Sequence, residues 1–453
     1  MLRAVLLLLV LAPGLALAQS DQDGLAPPRL DGRALTHRDV GRLLAQPPGT
    51  NAFTDEYLGK FAAFFHTDFD AILAQRPPLP EAAPRGPITF ADAIKESLKV
   101  FYSDAYTLST AAFETTRKSR WIAESLEQRP INGLTLVPPR PVTEAELTEV
   151  HHPAYIEAIR TGTPRALASS QEFEWDPAFW DMVLASNGGA IDAALTAMRE
   201  GIAGSLSSGL HHARSWMGNG FCTFNGLVLA AKAALKAGAK NVLIIDVDAH
   251  HGGGTHSLIA DDPRIHQLDV SVDRFDSYVP EGENTLDYVA PGRNQANRYM
   301  NAIRTRLDEI TRSGKRYDLV IYNAGMDPFE DVSIGGRKGI TRELLAERER
   351  MVFDWAVDMK MPISFVMAGG YLGPRLGQDG LVDLHRLTLE AAHTALARLK
   401  GQGSDVPVAT LVATTGAIGA LDRGFERNAT SVPHSVLGER VADRDPAREV
   451  TER

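Results

Sequence analysis

Three short apolar runs, each closed by a polar or glycine-bearing cluster, constrain this chain more than any other feature. Residues 242–245 run into Asp246, residues 319–322 into Asn323-Ala324-Gly325, and residues 363–367 into Gly369-Gly370. Bulky, partly β-branched runs of this length, separated by stretches of helical pattern, read as buried parallel strands. The fold class that follows is α/β: an open, mostly parallel sheet flanked by helices. Such sheets bind ligands beyond the carboxyl ends of their strands. The polar clusters sit just there, so pieces of chain far apart in sequence can share one crevice.

The clusters carry metal chemistry. His211-His212 comes first, then Gly220-Phe221-Cys222, Asp246-Val247-Asp248-Ala249-His250-His251-Gly252, Ala324-Gly325-Met326-Asp327 and Gly369-Gly370-Tyr371. If the chain leaves its strand extended, Asp246, Asp248 and His250 point to one side, because strand side chains alternate. Asp248 and His250 can then reach one ion, Asp246 sits a step deeper, and Asp327 arrives from another strand end. Two carboxylates and one imidazole leave a tetrahedral ion an open position, as a catalytic zinc requires. Cys222 is the only cysteine, which excludes a cysteine-ligated structural zinc. Taken singly, each cluster has an ordinary reading: a packed His pair, an Asp turn, a Gly-Gly turn. Five of them in this order at strand ends do not.

These blocks resemble those of the zinc-dependent histone-deacetylase-like amidohydrolases, which include histone deacetylases, acetylpolyamine amidohydrolases and acetoin-utilisation proteins on an arginase-type fold. Gly209-Leu210-His211-His212-Ala213 matches the family's His-His-Ala block, and residues 220–225 its Gly-Phe-Cys-x-x-Asn block. Residues 246–252 are similar to its Asp-x-Asp-x-His-His-Gly signature, with weaker similarity from about 100 to 400. The resemblance implies one zinc per chain on Asp248, His250 and Asp327. It implies proton transfer by His211 and His212, Asp246 as hydrogen-bond partner of His211, and Tyr371 as donor to the amide oxygen. Phe221, Gly220 and Gly370 would face the substrate. A K+ or Na+ ion would sit by Asp246, Asp248, His250 and Ser271. The substrate would be a small acyl-amine or an acyl-lysine.

Two positions depart from the family pattern. Gly253 stands where the family usually carries an Asp or Asn supporting the second tandem histidine, so His212 needs another partner. Asp273 stands where many relatives have His, changing the charge near the rim. Two other readings stay open: an arginase-type ureohydrolase with two manganese ions, and a catalytically weakened binding protein. Against the first, Gly252 stands where arginases place a further ligating acid.

The rest of the chain bounds the setting. Arg3, the apolar stretch 5–11 and Ala16-Leu17-Ala18 form a signal-peptide pattern, so residues 1–18 are expected to be removed and the protein exported, periplasmic or secreted, without a stable membrane anchor. Residues 19–95 read as a helical extension and linker, with Phe53, Tyr57, Phe61, Phe64 and Phe65 on one helix face. Residues 96–400 read as the catalytic domain, and 401–453 as a partly disordered tail. The net charge of −10 and the lack of basic runs give no nucleic-acid footprint. A helix is expected from Phe113, with Thr115 and Thr116 as caps, and another over 225–237, stopped by Gly238. His151-His152, His256, His266, His385 and His393 read as structural. Nothing here speaks to the oligomeric state.

Overall fold

A computed structural model describes residues 97–109 and 114–401, together with a two-residue ladder, Arg29–Leu30 against Arg33–Ala34. The expected signal peptide, the helical face at 53–65 and the tail after 401 lie outside the described residues. The described residues lie within one contact unit that ends at Gln402.

Eight strands form the central sheet: β1 Leu98–Phe101, β2 Leu134–Val137, β3 Ile202–Ser205, β4 Val242–Asp246, β5 Ile265–Ser271, β6 Thr285–Tyr288, β7 Leu319–Asn323 and β8 Ile363–Val366. Their order is β2-β1-β3-β8-β7-β4-β5-β6. Every pairing in this sheet is parallel. The three apolar runs read from sequence are β4, β7 and β8, and they are neighbours.

Register explains why the polar clusters meet. Ser205 pairs with Val366, Val366 with Asn323, and Asn323 with Asp246. The four central strands therefore end level, and the segments after them leave the sheet side by side. This is also where the strand order jumps from β3 to β4, the kind of place where α/β sheets form a crevice.

Both faces are covered, so the strands need no polar face. Val242 and Ile244 with Leu319 and Ile321 pack under the helices Ala178–Glu200 and Gly226–Lys236. Leu243 and Ile245 with Val320 and Tyr322 face the helices Gln295–Ser313, Arg342–Asp358 and Gln378–Leu399. The alternation within each strand thus feeds two cores.

Helix ends follow local chemistry in one case and not in another. Asn225 caps Gly226–Lys236 by accepting from Val228 N at 3.1 Å, and Gly238 follows that helix at φ +105°. The helix Glu114–Gln128 starts at Glu114, so Thr115 and Thr116 are in its first turn rather than caps. Both line a cavity instead, and Thr115 accepts from the buried Lys118. Tertiary use of these side chains overrides their capping preference.

Three histidines away from the central cluster are held neutral by the fold. Burial pushes His151, His152 and His256 down to about 4. Between that value and the unfolded value near 6.5, the unfolded chain binds more protons than the folded one. Stability therefore falls as pH drops below about 6.5, by up to about 1.4 kcal/mol per pH unit for each such group. Thermal melts should show a Tm lower by roughly 5 °C or more at pH 5 than at pH 7. An unchanged Tm would mean that these imidazoles are not buried in neutral form.

Candidate active site

Asp248, His250 and Asp327 converge beyond the carboxyl ends of β4 and β7. Each offers one ligand atom, and these atoms lie within 4.8 Å of one another. His250 Nδ1 stands 3.0 Å from Asp248 Oδ1 and 3.1 Å from Asp327 Oδ2. All three residues are buried. Asp327 Oδ1 accepts from Ala249 N at 3.0 Å, which fixes the carboxylate across the strand gap. Asp327 Oδ2 is buried and turned to His250 Nδ1. Burial works against a charged imidazole, yet the two carboxylates hold His250 well above its ordinary pKa. The cluster thus demands a positive charge at its centre. A cation bound there would meet that demand, and the donor set of two carboxylates and one imidazole suits zinc.

The segment is anchored from behind. Asp246 is fully buried one step deeper, and its Oδ1 accepts from Asn323 Nδ2 at 2.8 Å and from Asp248 N at 3.2 Å. Arg348 reaches the Val247 carbonyl at 3.4 Å and Tyr299 Oη at 2.9 Å, and pairs with Glu349. Tyr299 donates to the same carbonyl at 3.0 Å. Ser271 is buried, and its Oγ has no hydrogen-bond partner. An orphan hydroxyl at the end of β5, beside the strand that carries Asp246, suits the small monovalent ion expected there.

The tandem histidines follow β3. Asn225, the helix cap, also donates to the carbonyls of His211 and Ala213, at 3.4 and 3.2 Å, and to Thr255 Oγ1 at 3.0 Å. His151 joins the same anchor: Nδ1 meets the Arg214 carbonyl and Nε2 accepts from Asn225 N, both at 2.9 Å. His152 caps the helix Pro153–Thr161. This pair is structural, as its sequence context suggested.

Each tandem histidine has its own carboxylate. His211 Nδ1 lies 2.8 Å from Asp246 Oδ2. His212 Nδ1 lies 3.0 Å from Asp276 Oδ2. Asp276 also accepts from Gly254 N at 2.9 Å and pairs with Arg214. Gly253 does leave its own position without a side chain, but the structure supplies one from a different loop. The rings are 3.9 Å apart and their environments differ. Against the cost of burial, Asp246 and Asp248 push His211 up to about 10. Burial and then His211 itself push His212 down to about 4, Asp276 opposing. A divalent ion on Asp248 would offset the negative charge that raises His211.

One cavity joins these groups. His211, His212, Asp248, Gly220, Phe221, Gly369 and Tyr371 line it. Phe221 is held at φ +64°, stacks on Phe173 at 5.4 Å and faces Tyr371 at 6.1 Å. Phe275 stands edge-on to His212 at 4.9 Å and to His250 at 6.0 Å. Burial first, then Asp327 and Asp248, raise the Tyr371 phenol well above its ordinary pKa, so it stays a donor. Gly370 is not among the lining residues; its Cα faces His385.

Sequence reasoning missed several participants. Asp276, Arg214, Arg348 and Lys118 belong to no local pattern. Lys118 is fully buried and donates to the Gly369 carbonyl at 2.7 Å, bracing the turn that carries Tyr371. Burial lowers it to about 8, with Asp327 and Asp248 opposing. Asp273 pairs with Arg337 at 3.2 Å, so its charge at the rim is met. Glu330 and Asp331 turn to Gly339 N and Arg375 and do not line the cavity.

Comparison with known proteins agrees with this geometry. The family model described as histone deacetylase domain matches residues 112–379, more than half of the chain. Histone deacetylase 2 of Arabidopsis thaliana is 26% identical over 318 residues, covering 65% of this chain and 80% of that protein. Human polyamine deacetylase HDAC10 is 34% identical over 168 residues, 34% of this chain and 24% of that one. A crystal structure of acetylpolyamine aminohydrolase from Burkholderia pseudomallei superposes with a TM-score of 0.54 at 16% identity, over 65% of this chain and 98% of its own, a likeness of fold. With an all-parallel eight-stranded sheet and a match over residues 112–379, the chain belongs to the histone deacetylase family.

Proposed function

We propose that the protein is a zinc-dependent deacetylase that hydrolyses the amide of a small acylated amine or an acylated lysine. The observation that carries this reading is the cluster of Asp248, His250 and Asp327, whose Asp248 lines one cavity with His211, His212 and Tyr371. Membership of a family of amide hydrolases sets the reaction class.

A zinc ion held by Asp248, His250 and Asp327 would supply Lewis acidity to the acyl carbonyl and to the attacking water. The protein's own groups do the rest. His212, with Nδ1 turned to Asp276, presents Nε2 as the base that takes the water proton. His211, kept protonated more readily by Asp246, is placed to return a proton to the leaving amine. Tyr371 donates to the carbonyl oxygen as charge develops on it. Phe221 and Phe173 form an apolar wall for the alkyl part of the substrate.

Small acyl-amines fit better than chromatin. The chain is acidic, and its sequence has no basic run to bind nucleic acid. Of the proteins compared above, human polyamine deacetylase HDAC10 and the structurally similar acetylpolyamine aminohydrolase carry polyamine substrates in their names. The ureohydrolase reading needs a second metal; among the described residues, the one ligand cluster is Asp248, His250 and Asp327. Purified zinc-loaded protein should release carboxylate from acetylpolyamines, acetyl-lysine peptides or longer acyl-amines. Hydrolysis of guanidino substrates alone would overturn the reading.

We also propose export, on the signal-like pattern at 1–18. No helix among the described residues is long and apolar enough to cross a membrane. Protein from a native-type host should begin at Gln19; a chain still bearing Met1 would contradict this.

A further inference from the structure

We infer that the carboxylate supporting His212 has moved from position 253 to Asp276, and that Arg214 and Asp276 act as a pair that sets the tautomer of this histidine. The inference deepens the deacetylase reading and, for its effect on turnover, rests on it.

Space makes the two positions exclusive. A Cβ at Gly253 would come within 2.2 Å of the Asp276 carbonyl oxygen and 2.8 Å of its Oδ1. A side chain at 253 and the observed Asp276 cannot coexist. The glycine is therefore the room that Asp276 occupies.

The loop is built to deliver the group. Asp276 is buried and sits at φ +58°, in the left-handed region that Asp tolerates better than most residues. Its neighbours lock the turn: His251 N donates to the Phe275 carbonyl at 3.1 Å, and Ser277 Oγ meets His251 Nδ1 at 2.9 Å. A held left-handed residue beside a reactive centre is where stored strain has a use.

The carboxylate is shared by sides. Oδ2 accepts from His212 Nδ1 and Gly254 N. Oδ1 takes Arg214, whose other Nη donates to the Gly253 carbonyl at 3.2 Å. Gly254 N and Arg214 can only donate, and Arg214 keeps Asp276 ionised, so the oxygen facing His212 is an acceptor. His212 must then carry its proton on Nδ1 and leave Nε2 bare toward the cavity. Asp276 is a positioning residue: it acts through His212.

This sharing gives an unusual test. Asp276→Asn keeps shape and tolerates the same φ, but one side becomes a donor. The stronger, charge-assisted bond draws the amide oxygen to Arg214 and outweighs the neutral Gly254 N–H on the other side, which then loses its acceptor. The NH2 then faces His212 Nδ1, and the ring takes the opposite tautomer, with its proton on Nε2. Such a reversal disables a base without disturbing the fold. In the full chain, Asp276→Asn should lower kcat about thirtyfold or more, with KM within about threefold and zinc content unchanged. Adding Arg214→Met frees the amide oxygen to turn back, so the double variant should recover about tenfold in kcat over Asp276→Asn. A merely structural role predicts the reverse, because the second change removes another buried contact. A double variant no faster than Asp276→Asn, or an Asp276→Asn enzyme with wild-type kcat, overturns the inference. The 15N shifts of the His212 ring in histidine-labelled protein, assigned with His212→Gln, give a readout free of catalysis. They should show Nδ1–H in the wild type and Nε2–H in Asp276→Asn; the same tautomer in both refutes the inference. If wild-type protein hydrolyses no acyl-amine, the functional reading fails, and these shifts alone decide the role of Asp276.

Discussion

Asp248→Ala should abolish measurable turnover, with a loss on the order of a thousandfold or more, because several kcal/mol of charge stabilisation would leave with the ion. The position is one of three candidate ligands, all buried, and among the described residues no fourth carboxylate or cysteine joins the cluster to take its place. His250 would keep only Asp327 as its charged neighbour, and metal content should fall with activity. The fold should survive, since the sheet and both cores are built from other residues. Equilibrium dialysis with zinc and circular dichroism on the same sample check both parts. Full turnover with zinc retained would remove Asp248 from the site.

Tyr371→Phe should cost on the order of a hundred- to a thousandfold in kcat while leaving zinc content unchanged. The ring stays, so the wall against Phe221 is kept. The lost hydroxyl matters most when the carbonyl oxygen becomes anionic, so KM should move less than kcat. Lys118 anchors the turn just before the tyrosine through the Gly369 carbonyl, and so Tyr371 is held without needing its own hydroxyl. A Phe variant with unaltered kcat on a good acyl-amine would make the phenol structural.

How much of this was legible in the sequence follows from the range of the interactions. Strands β4, β7 and β8 announce themselves because each buries both faces and stops at a polar cluster. Asp246, Asp248 and His250 are readable because alternation within one strand exit is local. Asp327 became placeable once the strand ends at Asp246 and Asn323 were set side by side, whereas the roles of His211 and Tyr371 came from the family resemblance; the level register of β3, β8, β7 and β4 comes only from the pairing. Asp276 was not legible: it lies 64 residues from His212, in a loop whose turn has no local motif. The sequence pointed to a gap at Gly253, and the gap proved to be filled from outside the motif. Arg348 and Lys118 were hidden for the same reason, being buried charges whose partners at Val247 and Gly369 lie far away in sequence. Thr115 and Thr116 show the opposite error, where a local preference for capping lost to a cavity wall.

The central claim is a single-metal hydrolase, and metal stoichiometry tied to activity tests it most directly. Chelator-treated protein titrated with zinc should regain amide hydrolysis in step with binding and level off at about one ion per chain, as expected of an open three-ligand catalytic site. Activity that requires two tightly bound manganese ions per chain, with none at one equivalent of zinc, would contradict the account and favour a ureohydrolase.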